Sequence, residues 1–204
     1  MKANMAKGML LIISGPSGSG KGTVVQKLIP SEEFALSISV TTRKPRPGEV
    51  DGKDYFFIDV AEFERMREQG ELLEHALFVG NMYGTPKKYV LEQIELGKTV
   101  ILEIEVNGAL QIKDKFDDCV LIFLMPPTMA ELKNRLTGRA TESEETIDYR
   151  LRRACEEIQL ISKYDYLVIN DQIPDTIDDI KLIVGAERLK PMRNSEEIKK
   201  FMEE

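Results

Sequence analysis

The chain has 204 residues, 42% of them hydrophobic and 31% charged, and its 28 Lys and Arg against 35 Asp and Glu give a net charge of −7. This length suits a single domain, and the acidic balance argues against general nucleic-acid binding, which depends on neutralising phosphates. The sequence has no apolar run near the roughly 18 residues of a membrane helix, and its polar start, Met1 to Gly8, lacks a signal-peptide layout.

Segments of strand and helix character alternate along the chain. Strands are predicted at Met9–Ser14, Ala35–Val40, Thr99–Glu103, Cys119–Leu124 and Tyr166–Asn170. Helices are predicted at Lys21–Leu28, Val60–Gln69, Lys87–Leu96, Thr128–Leu136, Glu144–Lys163 and Asp175–Leu189. Several strands are continuously apolar, which is typical of a parallel sheet covered by helices on both faces. The pattern therefore predicts a three-layer α/β fold with a parallel central sheet.

Two stretches interrupt this alternation. Residues 41–84 are rich in Gly, Pro and charge and predict a small lobe inserted after the second strand, whereas the polar residues 138–145 predict a mobile lid between two helices. Residues 190–204 are polar and predict a C-terminal tail, either a short helix or a frayed end. The main domain is expected to span residues 8–189, with the lobe and the lid inside it.

Cysteine and histidine are scarce in this chain. Its two cysteines, Cys119 and Cys155, lie far apart, and each falls within an apolar pattern, which predicts buried free thiols. The single histidine, His75, excludes a His-rich metal site and argues against a Ser-His-Asp mechanism. Together these features indicate a reducing, cytoplasmic setting.

The strongest motif is the glycine-rich run from Gly15 to Thr23, G-P-S-G-S-G-K-G-T, between a predicted strand and a predicted helix. A phosphate-binding loop requires that context. Glycines let main-chain N–H groups surround an anion, and the helix N-terminus adds a partial positive charge. Lys21 is expected to reach the β- and γ-phosphates of a nucleotide.

One position departs from the usual G-x-x-x-x-G-K-[ST] pattern. Gly22 follows the lysine where a hydroxyl residue is expected, and Thr23 supplies the nearby hydroxyl. Two arrangements stay open: the loop ligates Mg²⁺ directly, or Thr23 bonds a phosphate while the metal keeps its waters. No residue is therefore assigned as a metal ligand.

Two further motifs lie in and at the edges of the predicted lobe, S-V-T-T-R-K-P-R-P-G-E-V-D-G-K-D-Y-F-F at 39–57 and E-H-A-L-F-V-G-N-M-Y-G-T at 74–85. Arg43 and Arg46 have planar guanidinium groups suited to phosphate oxygens, and Tyr55 and Tyr83 can add hydroxyl donors. These side chains balance the nearly two negative charges of a monophosphate. From composition alone, a solvated basic loop is an equal alternative; an intact phosphate loop in the same chain favours the phosphate site.

Two more runs accompany these motifs, G-R-A-T-E-S at 138–143 and V-I-N-D at 168–171. Together they make the chain resemble the guanylate kinase family, the ATP:GMP phosphotransferases, from about Gly8 to Leu189. The resemblance implies a P-loop fold with an inserted GMP-binding lobe and a small lid. It implies transfer of the γ-phosphate of ATP, with Mg²⁺, to GMP, giving ADP and GDP in purine metabolism. The expected partners are ATP and GMP, with no nucleic acid or membrane, and the chain is expected to be a monomer or a homodimer.

The resemblance also implies roles for individual residues. ATP is expected to contact the phosphate loop and, near its adenine, the end of the last strand: Gly15, Pro16, Ser17, Gly18, Ser19, Gly20, Lys21, Gly22, Thr23 and Asn170. GMP is expected to contact Ser39, Arg43, Arg46, Tyr55, Glu74, Tyr83, Thr85, Glu103 and Glu105. Catalytic roles are expected for Lys21, Arg43, Arg135, Arg139 and Arg150, since arginines of a lid can cover the charge of the transferring phosphoryl group.

The remaining predictions concern three carboxylates, those of Glu74, Glu103 and Glu105. Guanine presents N1–H and an N2 amine on one edge, and one carboxylate can accept hydrogen bonds from both. The resemblance implies that Glu74 is this carboxylate. Glu103 and Glu105 end a predicted strand beside the phosphate loop, where carboxylates commonly hold Mg²⁺ or its waters. On residue type alone, Glu74 suits a surface strand better than a base site, and it is the G-N-M-Y-G-T run that favours the base site. Glu103 and Glu105 could also form an exposed acidic strand end.

Three other functions remain as alternatives. The phosphate cradle would serve a kinase for AMP, UMP or another monophosphate, and only Glu74, Ser39 and Thr85 argue for guanine. Guanylate-kinase-like domains also occur as interaction modules in membrane-associated scaffolds, but those usually have a damaged phosphate loop. A regulatory GTPase needs a motif such as N-K-x-D, which this sequence lacks.

Overall fold

Strands and helices alternate along the chain in the computed structural model, which describes residues 8–78, 80–138 and 144–203. The strands are β1 (Met9–Ser14), β2 (Phe34–Leu36), β3 (Val40–Thr41), β4 (Phe56–Phe57), β5 (Leu72–Phe78), β6 (Asn81–Pro86), β7 (Thr99–Glu103), β8 (Cys119–Met125) and β9 (Tyr166–Ile169). The helices are α1 (Lys21–Leu28), α2 (Val60–Glu68), α3 (Lys87–Glu95), α4 (Val106–Lys113), α5 (Met129–Thr137), α6 (Glu144–Ile158), α7 (Ile173–Arg188) and α8 (Ser195–Glu203).

The central sheet has five strands in the order β2-β7-β1-β8-β9, and its neighbouring strands pair in parallel. Alternate residues of β1 enter opposite core clusters: Leu11 packs with residues of α1 and α7, and Leu10 packs with residues of α3 and α4. Helices therefore bury both faces, which explains the continuously apolar strands. The predicted three-layer α/β fold is confirmed.

A second sheet lies in the part of the chain where the lobe is predicted. It has four strands in the order β4-β3-β6-β5, and α2 packs on it through the buried ring of Phe63. The β3–β6 and β5–β6 pairs are antiparallel, with Tyr83 opposite both Thr41 and Ala76. This register sets which side chains of the lobe face the central domain, because a slip of one residue would turn them to the other face.

Several boundaries differ from the predicted ones. The predicted strand Ala35–Val40 is two strands in two sheets, because the main chain makes its last central-sheet bond, Ser37 N to Ile101 O, and then crosses to the lobe. Helix α4 was not predicted, since its Asn-Gly pair is more typical of a turn. The predicted helix at Glu144–Lys163 ends at Ile158, and a short 3₁₀ turn covers Ile161–Lys163.

The C-terminal region and the two cysteines were also predicted from the sequence. Beyond residue 190, where a tail is predicted, a 3₁₀ turn at Pro191–Arg193 leads into α8. Cys119 is buried, but the prediction of a buried thiol was wrong for Cys155, which lies on the exposed side of α6. Among the described residues, no helix combines the length and the apolar character needed to cross a membrane.

Candidate active site

The phosphate loop, residues 15–23, joins the end of β1 to the start of α1 at the carboxyl edge of the central sheet. Gly15, Gly18 and Gly20 have positive φ angles, so the chain turns sharply within a few residues. The Lys21 ammonium donates to the carbonyl of Gly15 at 2.6 Å and to that of Pro16 at 3.2 Å, which closes the loop on itself. The loop is therefore a compact turn at a helix N-terminus, the arrangement that suits an anion.

Two arginines beyond β8 lie beside this loop. Arg135, on α5, is held by Glu131 at 2.7 Å and donates to the carbonyl of Asn170 at 3.0 Å, and one of its nitrogens lies close to Gly20. Arg150, on α6, donates to the Ser17 hydroxyl at 3.2 Å. The structure thus brings two of the three predicted lid arginines to the loop. The third, Arg139, and most of the predicted lid at 138–145 lie outside the described residues.

An aromatic and basic cluster of the lobe forms the opposite wall. Arg43 makes a two-pronged ion pair with Glu49, at 2.8 and 2.9 Å, and its guanidinium lies 5.4 Å from the centre of the Tyr55 ring. The Tyr55 and Tyr83 rings meet edge to face at 5.9 Å. Hydrogen bonding to Glu49 raises the pKa of Arg43, and the same bond lowers the pKa of Glu49. Both groups are therefore charged at neutral pH.

One nitrogen of the Arg43 guanidinium makes no hydrogen bond within the described residues. This nitrogen is Nε, which is buried. Arg46 is anchored nearby, since its main-chain N–H donates to the Glu49 carboxylate at 2.7 Å, and its side chain lines the cleft. One carboxylate therefore organises both arginines of the cluster.

Glu74 is a buried carboxylate at the inner end of the lobe, only 4% exposed. The Thr85 hydroxyl donates to its Oε1 at 2.7 Å, and burial raises the pKa of Glu74. Gly108 of α4 makes room for the other oxygen, because a Cβ there would lie 2.8 Å from Oε2. Thr85 thus fixes Oε1 of the carboxylate, and Oε2 lies beside the space that Gly108 leaves open because it has no side chain.

Glu103 and Glu105 lie at the end of β7, next to the loop. The position that a Cβ would take on Gly22 is 3.5 Å from Oε1 of Glu103, so this carboxylate occupies space beside the loop position that lacks a hydroxyl. Glu103 is open to the cleft, but protein surrounds it on several sides, and this loss of solvation raises its pKa. The positive charge of Lys21 opposes the rise in pKa, and the negative charge of Glu105 adds to it.

One cleft of about 620 Å³ connects these groups. Its lining includes the predicted residues Ser17, Gly18, Gly20, Lys21, Gly22, Thr23, Ser39, Arg43, Arg46, Tyr55, Glu74, Tyr83, Glu103 and Glu105. The loop and the arginine pair therefore face a shared space, with Glu74 at the lobe side and Glu103 near the loop.

Known proteins resemble this chain along nearly its whole length. A family model described as guanylate kinase matches residues 7–187. The chain belongs to the guanylate kinase family. The guanylate kinase of Oceanobacillus iheyensis is 51% identical to it, covering 97% of this chain and 97% of that protein, and the guanylate kinase of Lactococcus lactis is 53% identical, covering 90% of each. The crystal structure of guanylate kinase from Anaplasma phagocytophilum is 38% identical, with a TM-score of 0.76 over 92% of this chain and 90% of that one.

Some predicted residues of this guanylate kinase family member lie outside the cleft lining. Thr85 is fully buried and acts on the site through Glu74. Ser19 is fully buried in the loop, and Gly15 and Pro16 form its back, where their carbonyls accept from Lys21. Asn170, predicted near the adenine, is 1% exposed and donates to the carbonyl of Ser19, so the structure places its side chain under the loop instead.

The sequence reasoning missed several residues of the site. Glu49 was passed over, although the R-K-P-R-P-G-E run at 43–49 contains it three residues after Arg46. Lys53 and Asp54, which lie inside the 39–57 motif but were given no role, line the cleft, and so does Gln26 of α1, which belongs to no motif. Only the folded chain reveals these positions.

Proposed function

We propose that this chain catalyses the transfer of the γ-phosphoryl group of ATP to GMP, giving ADP and GDP. Membership of the guanylate kinase family supports this activity. The observation that carries it is the shared cleft, which has the phosphate loop on one side and the Arg43–Glu49 cluster on the other. Two phosphate sites facing one space suit transfer between two nucleotides.

The ATP phosphates belong on the phosphate loop. Main-chain N–H groups and the N-terminus of α1 attract the phosphate oxygens, and the Lys21 ammonium, 2.6 Å from a loop carbonyl in this structure, is close enough to turn to them. Arg135 and Arg150 lie beside the same loop. We assign both of them, with Arg139 of the predicted lid, to the negative charge that spreads over the transferring group.

The GMP phosphate belongs to the lobe cluster of Arg43, Arg46, Tyr55 and Tyr83. The unpartnered Nε of Arg43 supports this assignment, because a buried donor without a partner gains by meeting a phosphate oxygen. Glu49 holds the far side of the Arg43 guanidinium at 2.8 and 2.9 Å. The arginine is thereby oriented before GMP arrives.

Glu74 is proposed to read the guanine base, with Ser39 and Thr85 nearby. Thr85 already satisfies one of its oxygens at 2.7 Å, and the carboxylate borders the cleft. A carboxylate accepts from the N1–H and N2 amine of guanine, whereas adenine offers no such pair of donors. A site that leaves this buried group unpaired with the wrong base discriminates strongly.

The residues at the end of β7 fit a magnesium ion carried by the ATP phosphates. Oxygen donors suit Mg²⁺, and Glu103 places a carboxylate beside Gly22, where the loop lacks its usual hydroxyl. The described residues contain no group of three or more His, Cys, Asp or Glu arranged to hold a metal, so Glu103, with Glu105 near it, would hold the ion together with the nucleotide. The ion would supply positive charge to the β- and γ-phosphates.

The reaction needs no general base, since a phosphate dianion is already a nucleophile. An oxygen of the GMP phosphate forms a bond to the γ-phosphorus of ATP. The bond from that phosphorus to the β–γ bridging oxygen breaks, and its electron pair leaves with ADP. Arg43 and Lys21 position the two phosphates, and closure of the lobe and the lid over both nucleotides would exclude water, which otherwise competes as the acceptor.

We further propose that the reaction takes place in the cytoplasm and serves purine metabolism. Both cysteines are free thiols, one of them exposed, which is typical of a reducing compartment. GMP and ATP are the substrates that the cleft accommodates under this proposal.

A coupled assay of ADP release tests the proposal directly. The chain is incubated with Mg-ATP and, separately, with GMP, AMP, CMP, UMP and dTMP. We expect turnover with GMP to exceed turnover with the other acceptors by at least a hundredfold in kcat/KM, the scale on which a polar base contact discriminates. Equal turnover with AMP would assign the chain to another monophosphate, and no turnover with any acceptor would reject the kinase proposal.

A further inference from the structure

Beneath the phosphate loop lies a buried hydrogen-bond network centred on Asn170, the residue that follows β9. Asn170 and Thr176, which lies in the first turns of α7, are each 1% exposed. The Asn170 amide nitrogen donates to the Ser19 carbonyl at 2.8 Å, and the Thr176 hydroxyl donates to the amide oxygen at 3.0 Å. A side chain more than 150 residues away in sequence thus supports the loop from below.

The direction of this amide is fixed by its partners. The main-chain carbonyl of Ser19 can only accept a hydrogen bond, so it must meet the amide nitrogen of Asn170. The amide oxygen then faces the Thr176 hydroxyl, whose one proton has two acceptors at 3.0 Å, this amide oxygen and the Gln172 carbonyl. Both ends of the side chain are engaged within the protein.

The amide also lies in contact with the turn of the loop. Gly20 has a φ of 91°, and a Cβ at this position would fall inside contact distance of the Asn170 amide nitrogen. Glycine is therefore required at residue 20 for its left-handed conformation and for the close approach of Asn170. The loop and the amide are packed as one unit.

The main chain of Asn170 is held as firmly as its side chain. Its N–H donates to the Met125 carbonyl at 2.8 Å, at the end of β8, and its carbonyl accepts from Arg135 at 3.0 Å. Residue 170 therefore links the sheet edge, the phosphate loop and an arginine proposed to act on the phosphates.

We propose that Asn170, supported by Thr176, is a positioning residue of the phosphate loop. By binding the Ser19 carbonyl on the underside, it holds that carbonyl away from the phosphate side, so that main-chain N–H groups face the anion. Its effect is on every phosphate ligand of the loop, whatever base the ligand carries. This inference rests on the proposed ATP site at residues 15–23. It adds that the affinity of this site for phosphates depends on a buried residue outside the loop, Asn170.

The test measures binding of three probes by calorimetry to the full chain: tripolyphosphate, Mg-ATP and Mg-GTP in the absence of GMP. Asn170→Ala leaves the buried Ser19 carbonyl without a donor, so we expect about tenfold weaker binding of each probe. Thr176→Val, which removes the support of the amide, is expected to weaken all three by a smaller factor, and Thr176→Ser is expected to restore them.

A matched control comes from Asn194, whose amide also donates to main-chain carbonyls, at 2.8 and 3.0 Å, but in the turn before α8. Asn194→Ala is expected to leave the three affinities unchanged. Amide hydrogen exchange over residues 15–23 provides a second readout, which should accelerate in Asn170→Ala but not in Asn194→Ala.

Two outcomes would overturn the inference. A loss confined to Mg-ATP, with unchanged tripolyphosphate affinity, would show that Asn170 reads adenine. GMP binding and thermal stability of each variant are measured beside the three probes, and an equal loss of GMP affinity in Asn170→Ala, with a large drop in thermal stability, would show a general structural role. Binding of tripolyphosphate to the unsubstituted chain tests the proposed ATP site separately, because the inference depends only on the ratio between variants.

Discussion

The phosphate loop is built from nine consecutive residues, 15–23, whereas the opposite wall of the cleft collects side chains spread from Arg43 to Tyr83. In the loop, the closing contacts of Lys21 span only five and six residues. In the lobe, the site depends on strand pairing that places Tyr83 opposite Thr41 and Ala76. Local geometry makes the first site, and correct sheet register makes the second.

Substitutions in the loop and in the lobe are therefore expected to affect different properties of the protein. A substitution in the loop is expected to act on phosphates of any nucleotide, since main-chain groups carry no information about the base. A substitution in the lobe is expected to change which acceptor is used. The following changes test that separation.

Lys21→Ala should have the largest effect. Removal of the ammonium from the loop should lower kcat by at least about a thousandfold, because preorganised positive charge stabilises the transferring phosphoryl group. The measurement is the steady-state rate with GMP as acceptor. Lys27→Ala, on the exposed side of the same helix, is the matched control and should retain the full rate.

Glu74→Gln should come next. The substitution keeps the size of the side chain but removes one of the two acceptors for guanine, so the ratio of kcat/KM for GMP over AMP should fall about a hundredfold. Binding of Mg-ATP alone should stay the same, which separates this lobe effect from damage to the loop. An unchanged GMP to AMP ratio would remove Glu74 from the base site.

The same carboxylate gives a pH test. Burial raises the pKa of Glu74, and its ionised form is the one that accepts from guanine. Acidification should therefore weaken GMP binding as pH falls through this raised pKa, starting above the ordinary glutamate value of about 4.3. The difference between the unsubstituted chain and Glu74→Gln isolates this effect from titration of the GMP phosphate, and parallel curves would contradict it.

Glu49→Gln should act more weakly, through Arg43. The neutral amide cannot maintain the two-pronged, charge-assisted pairing at 2.8 and 2.9 Å, so the KM for GMP should rise about tenfold with little change in the KM for ATP. Glu62→Gln is a matched control in the same lobe, because Glu62 forms a similar pair with Arg65, at 2.8 and 2.9 Å, outside the cleft. A KM for GMP that does not move would show that Arg43 needs no support from Glu49.

The same contrast explains how much could be predicted from the sequence. The loop and its flanking elements β1 and α1 were predicted with their observed bounds, because glycine spacing and apolar continuity are local signals. The place of Asn170 could not be predicted in this way, since it depends on β9 ending beside a loop that is 151 residues distant. Helix α4 was missed because Gly108 weakens its local helix signal, although that glycine makes room for Glu74.

Gly108→Ala should give the smallest and most specific effect. A Cβ at this position would lie 2.8 Å from Oε2 of Glu74, so the carboxylate must shift and the preference for GMP over AMP should fall about threefold to tenfold. Stability should not fall with it, because alanine favours the helix by roughly 0.5–1 kcal/mol over glycine. Gly185→Ala, in α7, is the control: no atom lies within 4 Å of the added Cβ, so it should gain the same helix propensity and leave acceptor preference unchanged. If Gly108→Ala lost stability while keeping its preference for GMP, the glycine would serve packing of α4 against the lobe and not the placement of the Glu74 carboxylate.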